Sequence, residues 1–233
     1  MSRISFFASI IAVAFSSAAN AGIIQLHSDK STFLGLDGVS SITGAIPASG
    51  GGTSLTIGDV TFSTALDPLA ISIALGNRST LIAGNEIAIS GSESLGLALN
   101  LADPAFALGF DFHEPSVTGT STNGTNTPYF HDSTFTIELL LGSSLVDTTL
   151  FTPNNDELVF FGVVSDMAFD TVRIFEDAGG LVSGYPHDIN NDNEFYGQFY
   201  ASTIAPVPEP SIYALFGIGL IGLGLARRRK QQA

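Results

Sequence analysis

The stretch FALGFDFH, residues 106–113, has a sequence period of two. Its apolar residues at alternate positions are Phe106, Leu108, Phe110 and Phe112. Asp111 and His113 fall on the opposite side of an extended chain. Because successive side chains of a strand point to opposite faces, this pattern predicts a half-buried β-strand whose phenylalanines face the core.

The same period recurs on both sides of this stretch. STFTIELLLG alternates at Phe135, Ile137, Leu139 and Leu141, and DTVRIFE alternates at Val172 and Ile174. Further strands are predicted at residues 60–63, 86–89, 95–101, 145–151 and 159–164. The one predicted helical turn covers residues 28–34, with Ser28 or Asp29 as its N-cap. Many short strands with turn residues between them predict an all-β fold, an antiparallel β-sandwich or jelly roll.

The charge distribution excludes some classes of partner. Between residues 22 and 206, 3 basic residues, Lys30, Arg78 and Arg173, stand against 21 acidic ones, a net charge of −18. A field of this sign repels phosphate backbones, so nucleic acid is not expected as a partner. Cations, basic surfaces and neutral polymers such as glycans stay open. The chain has no cysteine, which excludes disulfides, thiolate catalysis and cysteine-ligated metals.

The first 21 residues, MSRISFFASIIAVAFSSAANA, have the three parts of a secretory signal peptide. Arg3 supplies the basic start, an apolar stretch runs from Ile4 to Phe15, and small residues follow up to Ala21. The A-x-A pattern of Ala19 and Ala21 predicts cleavage before Gly22. We therefore expect an exported protein that begins at Gly22.

The last 27 residues, VPEPSIYALFGIGLIGLGLARRRKQQA, contain an apolar segment followed by a basic cluster. Residues 211–226 carry no charge and would reach about 24 Å as a helix, against about 30 Å for a bilayer core. A short span of this kind is usable because flanking arginines can extend to the interface. The cluster consists of Arg227, Arg228, Arg229 and Lys230. By the positive-inside rule we expect a transmembrane helix with its tail in the cytoplasm and the acidic domain outside.

The order of these C-terminal features resembles the PEP-CTERM sorting signal of exopolysaccharide-associated proteins of Gram-negative bacteria. The motif positions are Val207, Pro208, Glu209 and Pro210. The resemblance implies that a membrane-embedded exosortase recognises and cleaves this segment, so that the inner membrane is a transient location before the cell surface or extracellular matrix. The two prolines hold the segment extended and accessible, and a carboxylate between them does not enter the bilayer. The chain thus divides into a signal peptide (1–21), an ectodomain (22–205) and a sorting signal (206–233), in which the basic tail is 227–233.

The body of the chain resembles the ectodomains of PEP-CTERM proteins as well. The segments that carry this resemblance are SDKSTFLG, AGNEIAISG, ALGFDFHEP and FFGVVSDMAFDTVRIFE. It implies a lectin-like sandwich and no particular ligand, because these motifs are core and turn residues. The end of the body differs, since HDINNDNEFYGQFYAS stands where such domains close with an Asp-rich segment and an Ile-Asp-Asp-type strand.

Oxygen-bearing side chains at alternate positions make residues 188–194 the best candidate metal site. They are Asp188, Asn190, Asp192 and Glu194. The spacing resembles the first half of calcium loops, in which alternate side chains converge on a hard cation. Asn193 stands where a glycine is usual, and no further carboxylate follows at the usual distance. Calcium binding and an acidic turn without metal both stay open.

Catalytic motifs are absent from the sequence. The four histidines lack ligand spacing, and there is no Gly-x-Ser-x-Gly elbow and no phosphate loop. The leading interpretation is therefore a non-enzymatic exported protein that associates with extracellular polysaccharide.

Two alternatives to this interpretation depend on particular side chains. A calcium-dependent, lectin-like glycan-binding module would stack sugars on Tyr185, Tyr196 and Tyr200. A secreted glycoside hydrolase would need a carboxylate pair on one sandwich face, with Asp111, Glu114 and Glu138 as candidates.

Overall fold

The computed structural model describes residues 22–206, with gaps at 66–70, 92–95, 116, 121–125, 130–133, 155 and 178–193. Its elements are β1 (Ile23–His27), α1 (Lys30–Leu34), β2 (Ser40–Ser41), β3 (Gly51–Gly52), β4 (Ser54–Ile57), β5 (Val60–Thr64), β6 (Ile71–Gly76), β7 (Glu86–Gly91), β8 (Leu97–His113), β9 (Val117–Thr120), β10 (Asn126–Tyr129), β11 (Thr134–Leu141), β12 (Ser144–Phe151), β13 (Leu158–Asp177) and β14 (Glu194–Ser202). No helix among these residues is long and apolar enough to cross a bilayer. The predicted signal peptide, transmembrane helix and sorting motif lie outside the described residues.

Two unusually long strands organise the fold. β8 has 17 residues and β13 has 20, whereas a strand commonly has about 5–6. Their antiparallel pairing breaks between Val164, which opposes Ala107, and Phe169, which opposes Ala105. On one side of the break, residues 97–101 of β8 pair with β5 and with the end of β13. On the other side, residues 107–113 pair with the start of β13 and with β14. Each long strand therefore belongs to two layers.

The two layers follow from these pairings, all of which are antiparallel. Layer A consists of β4, β5, the first half of β8, the second half of β13, β11 and β12. Layer B consists of β1, the first half of β13, the second half of β8, β14, β7, β6 and β3, with β2 on β14. β9 and β10 pair only with each other. The predicted antiparallel β-sandwich is confirmed.

A phenylalanine-rich core fills the space between the layers. Phe62 of layer A lies 5.2 Å from Phe199 of layer B, measured between ring centroids. Phe135 of layer A lies 5.1 Å from Phe112 of layer B in the same way. Edge-to-face and tilted contacts of this kind add to the burial of apolar area, so the aromatic core links the layers along the length of the sandwich.

The strand predictions are confirmed in part. In FALGFDFH, Leu108, Phe110 and Phe112 are buried, while Phe106 is only partly buried. The prediction that this strand is covered on one face only was wrong, because His113 on the opposite side is buried too. Leu141 was also predicted wrongly: it is 41% exposed, because it is the last residue of β11 before the turn at Gly142.

The helix α1 covers the outer face of layer B. The Asp29 carboxylate caps it by accepting a hydrogen bond from Thr32 N at 2.7 Å, and the pKa of Asp29 is lowered by its hydrogen bonds to Thr32 and Ser31. The buried side chain of Phe33 lies over Gly109 and Gly162, which oppose each other on β8 and β13. A Cβ atom would approach a ring carbon of Phe33 to 2.8 Å at Gly109 and to 2.7 Å at Gly162. The two glycines therefore leave the space in which the Phe33 side chain of α1 packs.

A candidate ligand-binding groove and the sorting signal

An open groove lies where the edge of layer B meets the edge of layer A. Its volume is about 620 Å³, within the range of roughly 300–1,000 Å³ that small-molecule sites occupy. One wall comes from β1 and the start of α1, and the opposite wall comes from the end of β12 with the following residues 152–154. The start of β13 and Asp111 of β8 line the floor between them.

An ion pair supplies the charge in this groove. Lys30 Nζ lies 2.5 Å from Asp111 Oδ2 and 4.9 Å from the centre of the Tyr200 ring. Burial alone would lower the pKa of Lys30, but hydrogen bonds to Asp111 and then Tyr200 outweigh it and raise the pKa. The groove therefore holds a fixed cation beside a carboxylate, and both can hydrogen-bond to a polar ligand.

Exposed apolar side chains stand on the walls around this ion pair. Leu26 of β1, Leu150 of β12 and Leu158 of β13 line the groove, and Leu150 is 64% exposed. The half-buried ring of Phe151 lies among them. Apolar walls with a few convergent polar groups are the usual composition of a ligand pocket.

His27 forms the part of the wall that joins β1 to α1. Its ring packs edge-on against Phe33, with 5.6 Å between the ring centroids. Burial lowers the pKa of His27, so the ring is neutral near pH 7. Its Nε2 atom is buried and has no hydrogen-bond partner within the described part of the chain. Protonation would place an uncompensated charge at this point.

A second buried polar cluster lies under residues 77–85, beside the outer face of layer B. Ser79 Oγ lies 2.8 Å from His113 Nδ1 and accepts hydrogen bonds from the backbone N–H of Leu81 and Ile82, each at 3.2 Å. Because Oγ accepts from both amides, its own hydrogen is directed to Nδ1 of a neutral imidazole. Burial lowers the pKa of His113, although Asp156 and Glu86 act in the opposite direction.

The Ser79–His113 pair resembles a nucleophile and its base, but its surroundings exclude that role. Ser79 is only 3% exposed, so a substrate cannot reach its hydroxyl. The Glu86 carboxylate accepts hydrogen bonds from the backbone N–H of Arg78 and Ser79. The cluster therefore fixes the segment 77–85 against β7 and β8.

The tyrosines that were predicted to stack on sugars are placed elsewhere. Tyr196 is 2% exposed and packs in the core against Phe110 and Phe112. Tyr200 is buried under Lys30 on the outer face of layer B. The stacking prediction was wrong for both, because β14 is a central strand covered on both faces. Tyr185 lies outside the described residues.

The carboxylates proposed for a glycosidase do not share one face. Asp111 lies in the groove beside layer B, whereas Glu138 lies on layer A opposite Arg173, with 3.8 Å between Oε2 and Nη1. Glu114 is buried at the end of β8. The hypothesis that Asp111 and Glu138 form a carboxylate pair on one face was wrong, because β8 and β11 present them on different layers.

The predicted calcium site is described only at one residue. Glu194 is buried at the start of β14, and Asp188, Asn190 and Asp192 lie outside the described residues. Within the described ranges, no group of three or more His, Asp or Glu side chains is arranged to hold a metal ion. Calcium binding at residues 188–194 stays a prediction.

Residues 206–230 match the family model of the PEP-CTERM protein-sorting motif. The chain carries this sorting motif. The match includes Pro208, Glu209 and Pro210 together with the basic cluster, so the predicted resemblance of the C-terminal segment is confirmed. No curated protein matches the chain.

Solved structures with a similar course of the chain include carbohydrate-binding modules. A mutant of the family 29 module CBM29-2 has 14% identity and a TM-score of 0.37, and the match covers 74% of this chain and 98% of that one. The CBM22-1 xylan-binding domain from Paenibacillus barcinonensis Xyn10C has 13% identity and a TM-score of 0.36, over 82% and 100% of the two chains. These identities and TM-scores are too low to carry an argument, so the fold assignment rests on the strand pairing described above.

Sequence reasoning did not identify Lys30 or Ser79. The sequence could have pointed to Lys30, because it is the only lysine before the basic tail and it lies close to the predicted N-cap. No local pattern points to Ser79, because its neighbours His113 and Glu86 lie 34 and 7 residues away along the chain.

Proposed function

We propose that the chain is an exported, non-enzymatic envelope protein that an exosortase processes through residues 206–230 and delivers to the cell surface or extracellular matrix. The PEP-CTERM motif is the observation that carries this proposal. The order of elements supports it, because β14 ends at Ser202, four residues before the motif begins. Cleavage within the motif would remove none of the described strands.

Deletion of residues 207–210 tests the sorting step. We expect the full-length chain without these residues to stay in the inner-membrane fraction, whereas the wild-type protein reaches the cell surface or medium with a mass that reports cleavage at both ends. Deletion of residues 231–233, which lie beyond the matched segment, is the control and should leave sorting unchanged. Unchanged release after loss of residues 207–210 would contradict the proposal.

The partner of the delivered domain is proposed to be extracellular polysaccharide of neutral or cationic character. The net charge of −18 between residues 22 and 206 repels anionic polymers over distances set by the salt concentration. Association should therefore weaken as a polymer gains carboxylate or phosphate groups, which a pull-down with polysaccharides of graded charge measures. Equal retention by strongly anionic and neutral polymers would contradict this choice of partner.

A second candidate function is glycan binding in the groove, and the Lys30–Asp111 pair between apolar walls favours it. Sugars offer hydroxyl groups to such a pair and C–H faces to apolar side chains. On a glycan array, we expect the exported protein to bind and Lys30→Gln to lose binding, while Arg173→Gln on layer A retains it. Adding a chelator tests the calcium dependence separately. An array without signal would remove this second function and leave the sorting proposal intact.

A further inference from the structure

Gly22 is held between two aspartates that belong to different strands. Its backbone nitrogen donates a hydrogen bond to Asp166 Oδ1 at 2.7 Å, and the next backbone nitrogen, that of Ile23, donates to Asp147 Oδ2 at 2.7 Å. Asp166 lies where β13 crosses between the layers, and Asp147 lies on the edge strand β12. The start of β1 is thus bound by side chains from both sides of the sandwich edge.

The carbonyl group of Gly22 is fixed as well. Its oxygen accepts hydrogen bonds from Asp166 N at 3.1 Å and from Ser165 Oγ at 3.3 Å. Ser165 is fully buried, and its hydroxyl also accepts from Met167 N at 3.1 Å. Gly22 therefore has a defined position at both its nitrogen and its carbonyl oxygen, although it precedes the first strand.

Only glycine fits this position. A Cβ atom on residue 22 would overlap the Asp147 carboxylate, and φ is +154°. The absence of a side chain brings the Asp147 oxygen close to the Gly22 backbone. The Gly22 nitrogen, which as a peptide amide has one hydrogen, donates it to Asp166, while the Asp147 carboxylate, held by Ile23 N, lies beside the same glycine.

We propose that Asp147 and Asp166 form a binding site for the α-ammonium group of the mature chain. The proposal rests on the export step of the proposed function, because signal peptidase would create this group at Gly22. Hydrolysis of the Ala21–Gly22 peptide bond consumes one water, leaves a carboxylate on Ala21 and leaves an amine on Gly22. The amine takes up a proton at neutral pH, since the pKa of an α-amino group is about 7.7–8.0.

The product of cleavage suits this site better than the precursor does. The ammonium has three hydrogens and a positive charge, whereas the precursor amide has one hydrogen and no charge. The precursor amide already donates to a carboxylate, so what cleavage adds is two further hydrogens and the Coulomb attraction between the ammonium and the carboxylates. Removal of the signal peptide therefore completes the attachment of β1, and β1 forms the wall of the groove that contains Leu26 and His27.

An insertion next to the cleavage site tests this inference in the full chain. Two serines inserted after Ala21 leave the A-x-A pattern intact, so the exported protein should begin two residues before Gly22, with an amide at Gly22 N. We expect wild-type protein recovered from cells to begin at Gly22, and we expect the insertion to lower its Tm by about 4–8 °C.

Substitution of the aspartates separates the charge from steric effects of the insertion. In an Asp147→Asn, Asp166→Asn background, the insertion should change the Tm by less than about 2 °C, because no ammonium–carboxylate interaction remains to be lost. Asp103→Asn, at an exposed position, is the matched control and should leave the full effect of the insertion in place. A drop of equal size in the double-Asn background would show steric disruption and overturn the inference.

The outcomes for export and for the ammonium site are distinguishable. If the protein is exported but begins at a residue other than Gly22, or if the insertion leaves the Tm unchanged, the ammonium site is overturned and the sorting proposal stands. If residues 1–21 stay attached to a protein retained in the cell, both fail together.

Discussion

The two outer faces of the sandwich differ in what covers them. The outer face of layer A is polar and open, with hydroxyl contacts such as Thr56 to Thr61 at 3.0 Å and the ion pair of Glu138 with Arg173. The outer face of layer B lies under α1 and residues 77–85, which bury Phe33 and His113. Among the described residues, layer A meets solvent directly, whereas layer B is the middle of a three-layer arrangement.

This difference indicates where specific chemistry is built into the molecule. Layer A keeps its polar groups in solvent, where their interactions are weak. Beside layer B, the cover creates the protected positions of the His27 ring and the Ser79–His113 cluster, and it holds Lys30 2.5 Å from the partly buried carboxylate of Asp111. We therefore expect substitutions in the cover to matter far more than substitutions on the open face.

Among the substitutions that compare the two faces, removal of the Phe33 ring should cause the largest loss of stability. Phe33 is fully buried and lies 5.3 Å from Phe160, measured between ring centroids. Phe33→Ala should lower the free energy of unfolding by about 3–5 kcal/mol, because it leaves a cavity under α1. Thr56→Ala on the open face should cost less than about 0.5 kcal/mol. Denaturant unfolding of both variants measures the two values, and similar losses would refute the contrast between the faces.

Filling the space that Gly162 leaves beside Phe33 should cause the next largest loss of stability. A Cβ atom at Gly162 would lie 2.7 Å from Phe33 Cδ2, 3.0 Å from Phe160 Cε1 and 3.1 Å from His27 Cβ. Gly162→Ala should therefore cost about 1–3 kcal/mol through overpacking. Combined with Phe33→Ala it should cost clearly less than the sum, because the new methyl group occupies space that the ring vacates. Additive losses in this double-mutant cycle would show that Gly162 acts for another reason.

The difference between the layers also explains which strands could be predicted from the sequence. Phe135, Ile137 and Val172 are buried as predicted, because their strands in layer A alternate between core and solvent. β14 was not predicted, because it is covered on both faces and the period of two is lost. In FYGQFY of β14, for example, Phe195 packs under residue 82 on the outer side while Tyr196 enters the core. β6 was not predicted although its buried Ile73 and Leu75 alternate with Ser72 and Ala74.

The candidate site was less predictable than the fold. The sorting motif could be read because its residues are contiguous, and the family match confirms it. The groove depends on contacts between distant segments, such as Lys30 with Asp111, which are 81 residues apart. No local pattern encodes such a contact, and the same holds for the bond between Gly22 and Asp166 across 144 residues.

Acid should weaken the covered side of layer B. Burial lowers the pKa of His27 and of His113, so the folded protein binds fewer protons than the unfolded chain just below pH 6.5. Their contribution to stability is complete above pH 6.5 and is lost as the pH falls through the folded-state pKa values. We expect the Tm to fall on acidification from pH 7, and to fall less in His27→Phe.

The matched control for this pH effect is His113→Asn. His113→Asn should reduce the fall in Tm on acidification by less than His27→Phe does. The reason is that Asp156 and Glu86 partly stabilise a charged His113, whereas His27 Nε2 has no partner in the described structure. Identical pH profiles for wild-type protein and His27→Phe would mean that carboxylates alone control acid unfolding.

The two ion pairs should give the smallest effects, and they compare the faces directly. Glu138 and Arg173 are 3.8 Å apart, with side chains 29% and 35% exposed, so solvent and salt screen their attraction. Glu138→Gln should change the free energy of unfolding by less than about 0.5 kcal/mol, and by less still in high salt. Asp111→Asn should cost more, about 1 kcal/mol, because Lys30 is then left over the Tyr200 ring without its carboxylate at 2.5 Å. A cost for Glu138→Gln equal to that of Asp111→Asn would mean that neither the shorter distance between Lys30 and Asp111 nor the more buried carboxylate of Asp111 strengthens that ion pair.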